Sequence, residues 1–347
     1  MYILTTQSLK EVEDFLSLND LEPFRARQLL HWIYKKSVFD FERMTNLSRR
    51  LIQFLKKETT ILSLSLQPKV ISSKDGTTKY LFKLADGHYI ESVFLPFRER
   101  AALCLSTQVG CPLACQFCAS GKAGFIRNLH SDEMVGQFLL VKKEKEKEDK
   151  GITHIIFMGM GEPLLNYENL IKTIDILSSS WGGGISSRRI SISTAGIVPG
   201  IKKLAVFPRQ VKLSISLHSP IDEIRTRLMP ISKKYPLAEV LKAAKFYAQK
   251  TNKLTTFEYL LIRDINDRKE DAEALARAIS SIPSKVNLIT YNCLRQSQGS
   301  KFKAPWPESI AQFKQILSRR HIHFTEREKK GEDIEAACGQ LWLKMVN

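Results

Sequence analysis

Apolar residues recur at helical spacing through the first sixty positions and at strand spacing soon after. In residues 8–18 (SLKEVEDFLSL), Leu9, Val12, Phe15 and Leu16 share one helical face, and in residues 22–36 Phe24, Leu29, Trp32 and Ile33 share another. A third amphipathic helix is expected at about 47–57, with Arg49, Arg50, Lys56 and Lys57 turned outward. Residues 69–95 read as strands broken at Asp75-Gly76 and Asp86-Gly87, dipeptides that tolerate the positive φ of tight hairpin turns. From residue 101 strand and helix alternate: ALCLST, THIIFMG, RRISIST, VKLSISLH, TTFEYLLI and VNLITYN are each followed by a helical stretch.

Six strands alternating with helices imply an α/β fold with parallel pairing and right-handed crossovers. Polar residues at the carboxyl ends of many strands favour a partial or complete barrel, a partial (β/α)6 TIM-like one, over an open doubly wound sheet. The expected division is an N-terminal helical accessory domain over 1–65, a β connector over 66–100, the barrel over 101–295 and a C-terminal extension over 296–347. A last strand candidate, HIHFTER, lies at 321–327, and the charge run 142–150 (KKEKEKEDK) reads as a solvated helix end.

Charge narrows the picture. Lys and Arg number 53 against 36 Asp and Glu, a formal charge of +17 with a pI near 9.6, and such a field attracts polyanions, nucleic acid foremost. The start, MYILTTQSLKEVEDFL, has no basic segment followed by a long apolar one, and no segment approaches a membrane-spanning run. The expected location is the cytosol, as a monomer. Six cysteines stand at 104, 111, 115, 118, 293 and 338, and in a reducing compartment their clustering favours metal or catalysis over disulfides.

Cys111-Pro-Leu-Ala-Cys115-Gln-Phe-Cys118 puts three thiols in eight residues directly after a strand. Iron–sulfur clusters normally take four thiolates, so three leave one iron free to bind a substrate. The alternative is structural zinc with Cys104 as fourth ligand. Against it, zinc sites usually pair two separate CxxC knuckles, and Cys104 lies within the preceding strand.

This CxxxCxxC spacing is the signature of the radical S-adenosylmethionine (SAM) superfamily, whose 4Fe–4S cluster holds SAM and cleaves it to a deoxyadenosyl radical. Gly159-Met160-Gly161-Glu162-Pro163, one strand later, resembles the superfamily's loop for the methionine amino group, where a carboxylate facing an ammonium is the expected pair. Almost the whole chain resembles the RlmN/Cfr family of adenine methyltransferases, which act on 23S ribosomal RNA and, in one branch, on transfer RNA. The matches include GFIRNL at 124–129, MGMGEPLLN at 158–166, RRISISTAG at 188–196, SLHSP at 216–220, RLMPI at 227–231, FEYLL at 257–261 and AACGQL at 336–341.

The resemblance implies roles for individual positions. Cys111, Cys115 and Cys118 would hold the cluster, and Gly161, Glu162, Ser193, Ser216, Leu217, His218 and Asn292 would contact SAM. Cys338 matches the cysteine that becomes S-methylated, Cys104 the thiol that later releases the product, and Glu91 a proton acceptor. Carbon-2 of adenine, between two ring nitrogens, is too electron-poor to accept a methyl group by polar transfer. The family scheme therefore methylates Cys338 with one SAM and activates that methyl with a second, two per turnover. The carbon adds to the ring, and Cys104 then attacks the Cys338 sulfur to leave a disulfide. An external electron donor and a disulfide reductant are implied.

GEPLLN and IESVFLP resemble the carbon-2 branch more than the carbon-8 branch; a non-catalytic metal-containing RNA-binding protein is the reading from a different class. Where many members continue with proline after Asn292, this chain has Cys293, read as a passive substitution. Basic residues recur in both parts, Arg25, Arg27, Lys35 and Lys36 in the helices, and Arg127, Arg188, Arg189, Lys233, Lys234, Arg319 and Arg320 beyond; the N-terminal helices are expected to help hold RNA.

Overall fold

A computed structural model describes residues 1–148, 151–292 and 301–341; Cys293 lies outside the described residues. Ser8 starts the first helix, Leu9–Ser17, through a capping box: its hydroxyl accepts the Glu11 N–H at 3.2 Å, and the Glu11 carboxylate takes the Ser8 N–H at 2.6 Å. The second and third helices, Arg25–Tyr34 and Arg49–Glu58, bury Leu29, Leu30 and Ile33, and Leu51 and Leu55. Phe24, predicted for the buried face, is instead exposed, because the helix begins one residue after it. Strand Thr59–Thr60 returns to pair in parallel with Tyr2–Ile3, which ties the helical unit to its own start.

One eleven-stranded sheet builds the rest. Seven parallel strands follow in chain order: Ala101–Cys104, His154–Phe157, Ile190–Thr194, Lys212–Ser216, Thr255–Leu261, Ser284–Thr290 and Phe324–Glu326. The last falls within the HIHFTER candidate and extends the expected six. The first is flanked antiparallel by Tyr89–Pro96, then Thr78–Leu84, then Leu64–Leu66. The segment expected as a connector over 66–100 is thus the antiparallel flank of the barrel sheet itself, and its boundary at 65/66 cuts through a strand. Gly76 and Gly87, at φ +71° and +87°, sit in the turns before Thr78 and Tyr89, as the Asp-Gly dipeptides predict.

Side chains alternate across each parallel strand. In Lys212–Ser216, Leu213 and Ile215 pack outward against helices, while Lys212, Ser214 and Ser216 face the lumen. In Thr255–Leu261, Phe257 and Tyr259 face out and Thr256 and Glu258 face in. The polar positions read from the sequence as strand ends therefore run through the whole interior, whereas closed barrels of this type fill theirs with bulky branched side chains.

The charge run does not behave as a solvated helix end. Helix Ser131–Glu146 lies along the antiparallel flank, and Lys145 is only 3% exposed, its ammonium 4.8 Å from the Phe94 ring centroid and 3.0 Å from Glu148. Glu144 receives Lys69 and the Tyr80 hydroxyl, each at 2.6 Å. Alternating charges at that point are paired across to strands, so polarity alone misreads their exposure.

Candidate active site

After strand Ala101–Cys104 the chain forms a short antiparallel pair, Gln108–Gly110 with Phe125–Asn128, and the intervening loop carries the three clustered cysteines. Gly110, at φ +75°, brings the two sides so close that a Cβ would stand 1.9 Å from the Gly124 carbonyl oxygen. Cys111 N–H donates to that oxygen at 2.7 Å, and Cys118 N–H donates to the Cys115 carbonyl at 3.1 Å. Gly121 lets the loop fold on itself, because a Cβ there would meet the Cys115 nitrogen at 2.9 Å.

Cys111, Cys115 and Cys118 line one cavity of about 160 Å³. Burial raises all three thiols, Cys111 to about 12, and a neighbouring cysteine adds to the effect at each, Cys118 for Cys111 and Cys115, and Cys338 for Cys118. Such thiols favour a cationic centre that takes them as thiolates. Among the described residues no three His, Cys, Asp or Glu converge closely enough to bind one metal ion. Three thiols lining one cavity suit a cluster, where each cysteine takes a different iron.

The Gly159–Pro163 loop forms the facing wall. Ser106 Oγ accepts the Met160 N–H at 2.8 Å, and Gln108 Oε1 accepts the Glu162 N–H at 2.8 Å. Gly161, at φ +102°, leaves room for Gln108, whose backbone nitrogen would lie 2.8 Å from any Cβ. The Glu162 carboxylate, 2% exposed, accepts the backbone N–H groups of Leu164 at 3.0 Å and Ala195 at 2.7 Å. Burial nevertheless raises its pKa to about 7. A carboxyl poised in this way gains charge when a cation is placed beside it.

Ser193, Ser216 and His218 complete this cavity. His218, at φ +56°, accepts the Leu260 N–H on Nδ1 at 3.1 Å and stands edge-on to Phe117, 4.9 Å between centroids. Burial, with Arg225 nearby, lowers its pKa to about 3, so the ring is neutral with its proton on Nε2. Leu217 lines neither cavity; its side chain is buried in the core and its N–H donates to the Glu258 carbonyl at 3.0 Å.

A second cavity, about 540 Å³, occupies the barrel lumen and is lined by both Cys104 and Cys338. The C-terminal segment bearing Cys338 is fastened to the cysteine loop: Ala119 N–H donates to the Gly339 carbonyl at 2.8 Å and Ser120 Oγ to the Leu341 carbonyl at 2.6 Å. Gly339 makes the turn at φ +80°. Burial first, then Cys338, raises the Cys104 thiol to about 12, while Arg327 and a Met158 N–H oppose this. Arg327 lines both cavities, and Cys338, Glu258 and Cys104 all act to keep it charged. Asn292 lines the lumen, and its buried Oδ1 has no hydrogen-bond donor among the described residues.

Glu91 is placed differently. It lies two residues before Val93, which lines the lumen, but does not line the cavity itself; Lys79 Nζ stands 3.3 Å from its carboxylate.

Two family profiles match this chain, the Radical SAM superfamily over residues 105–278 and the Ribosomal RNA large subunit methyltransferase N-terminal domain over residues 4–61. A probable dual-specificity RNA methyltransferase RlmN from Thermotoga sp. (strain RQ2) is 47% identical, covering 94% of this chain and 93% of that protein. One of the same description from Fervidobacterium nodosum is 45% identical, covering 98% and 97%. The chain belongs to the RlmN family of radical SAM RNA methyltransferases. A crystal structure of a radical SAM methyltransferase from Sphaerobacter thermophilus superposes on it with TM-score 0.94 at 39% identity, covering 98% of this chain and 99% of that one. Membership carries a requirement for a 4Fe–4S cluster and SAM, and the three thiols and the Glu162 loop lining one cavity are the residues fitted to them.

Within this RlmN-family site, sequence reasoning missed three side chains. Arg225, fully buried, donates to Ser232 Oγ at 2.8 Å and to the Ala195 carbonyl at 2.7 Å, joining the loops behind the smaller cavity. Glu258 accepts Asn287 Nδ2 at 2.7 Å inside the lumen. Arg327 lies beside the two distant thiols. Glu258 sits at inward strand parity, the one signal that could have singled it out, whereas Arg327 lies just beyond its strand. Arg127 and Arg320, basic candidates for RNA, are instead paired, Arg127 with Asp86 at 2.6 Å and Glu133 at 2.7 Å, and Arg320 with Glu273 at 2.7 Å.

Proposed function

We propose that the chain methylates carbon-2 of an adenosine in 23S ribosomal RNA and of an adenosine beside the anticodon in transfer RNA, through a methylated Cys338. The observation that carries this reading is the sharing of one lumen by Cys104 and Cys338, residues from opposite ends of the barrel sequence, next to the cysteine loop. The bound cluster and SAM would supply methyl groups and a deoxyadenosyl radical.

The protein's own residues do the rest. Cys111, Cys115 and Cys118 ligate; Glu162, Ser193, Ser216, His218 and Asn292, with the backbone of Gly161 and Leu217, position SAM, the Glu162 carboxylate taking its ammonium. Cys338 Sγ accepts the first methyl, loses one of that methyl's hydrogens to the radical and carries the carbon to the ring. Glu91 is the proposed acceptor of the ring proton, and the one electron that leaves the adduct with it balances the one that the external donor supplies to form the radical. Cys104, as thiolate, then attacks Cys338 Sγ; the sulfur–carbon bond breaks with its electron pair on the departing carbon, which takes up a proton to become the methyl group, and the disulfide left behind is reopened by an external thiol reductant. Arg327 favours the Cys104 thiolate by its charge. Two SAM are consumed per methyl delivered.

Support for carbon-2 comes from GEPLLN and IESVFLP in this sequence and from the RlmN description of the relatives. The working location is the cytosol, where these RNAs reside. Anaerobic reconstitution, reaction with RNA, nuclease digestion and mass spectrometry test the assignment. The expected product co-migrates with 2-methyladenosine, and 8-methyladenosine would overturn it.

A further inference from the structure

The lumen does not end at the thiols. It continues to the amino ends of the parallel strands, where Arg100, His154, Lys212 and Lys285 line it. Arg100 immediately precedes the first strand, His154 and Lys212 begin the second and fourth, and Lys285 is the second residue of the sixth. Parallel pairing puts all four at one mouth of the barrel. From Lys285 to Ile289, both lumen-lining, is about 13 Å of strand at ~3.3 Å per residue.

That mouth is cationic without compensation. Arg100, Lys212 and Lys285 form no ion pair among the described residues. Six Lys and Arg line the cavity against three Glu. Of those three, Glu258 is hydrogen-bonded to Asn287 deep in the lumen and Glu326 pairs with Lys314 at 2.9 Å, leaving Glu328. Burial and then Lys285, Arg100 and Lys253 lower the Lys212 pKa, so these three cations work against the Lys212 charge, and burial with Lys212, Arg100 and Arg189 lowers that of His154 and favours its neutral ring. Unpaired cations gathered around an open mouth make an anion site.

The opposite mouth is roofed. The cysteine loop and the C-terminal segment are hydrogen-bonded across it at Ala119–Gly339 and Ser120–Leu341. A macromolecular substrate that must reach Cys104 and Cys338 therefore has the amino-end mouth open to it. We propose that this mouth is a phosphate-binding rim, at which Arg100, Lys212 and Lys285 hold the backbone of the RNA strand while its target adenosine stands everted in the lumen. The inference rests on the RNA-methyltransferase reading above and adds the route by which RNA enters. Unstacking a base is the general requirement for chemistry on it; small lumen residues such as Ser191, Ser214 and Thr256 leave space for one.

The test uses the anaerobically reconstituted full chain and a synthetic RNA hairpin with an unpaired loop adenosine, with affinity measured over a salt series. Removing one phosphate-binding cation should reduce the slope of log affinity against log salt by ~1. Lys212→Ala/Lys285→Ala should therefore bind more weakly with a slope shallower by ~2, and adding Arg100→Ala should flatten it further. Formation of methyl-Cys338 from SAM without RNA, which these residues do not touch, should persist. Should the alanine pair lose that signal through misfolding, Lys212→Gln/Lys285→Gln removes the same charge and retains much of the side chain. Wild-type slope and affinity in a variant still forming methyl-Cys338 overturn the rim. Wild-type protein without affinity for the hairpin would instead overturn the RNA reading beneath it.

Discussion

The two cavities are built on opposite rules. In the smaller one the backbone holds Glu162 by two N–H groups, His218 by one, and the cysteine loop by close contacts that only glycine permits at 110 and 121. In the lumen the polar groups are side chains reaching inward from strands, with cations left unpaired at one end and an orphaned amide oxygen at Asn292. The first cavity is preorganised for one cofactor of fixed shape, and the second leaves its charges free for a partner that arrives and departs.

Substitutions can break this contrast, and the largest effect belongs to the smaller cavity. Cys115→Ala should lose bound iron and deoxyadenosine formation to background, measured by metal analysis and chromatography; retained iron would contradict the ligand assignment. Cys104→Ala, in the lumen, should keep iron and methyl-Cys338 yet stop turnover, accumulating a protein–RNA adduct visible on denaturing gels. Absence of any adduct counts against the thiol pair. Arg225→Ala leaves the Ala195 carbonyl and Ser232 hydroxyl without their charged donor and should cost about 2–4 kcal/mol in denaturant unfolding. A loss below ~1 kcal/mol would show that water replaces the guanidinium. Lys145→Ala, far from either cavity, should cost about 1–2 kcal/mol through lost packing on Phe94 and pairing with Glu148 while leaving activity unchanged. A change in RNA product there would mean that the antiparallel flank reaches the site.

Much of this was legible in the chain itself. Period-2 patterning located the barrel strands because each buries one face under helices, and the cysteine spacing located the loop because ligand chemistry leaves few alternatives. What escaped had no local signature. Arg327 matters through neighbours more than two hundred residues upstream and eleven downstream, Cys104 and Cys338. Lys145 looked solvated because its partners, Thr78 and Phe94, come from another part of the chain. Polar lumen residues resembled surface positions, since alternation shows two faces and not which one encloses a space.

The Ala119–Gly339 and Ser120–Leu341 links have one more consequence. Because the arm carrying Cys338 hangs from the same loop that carries Cys111, Cys115 and Cys118, unwinding that loop would withdraw the arm as well. On the chemistry proposed above, an unloaded chain would then be poorly equipped to capture RNA in a bond it could not afterwards complete or release.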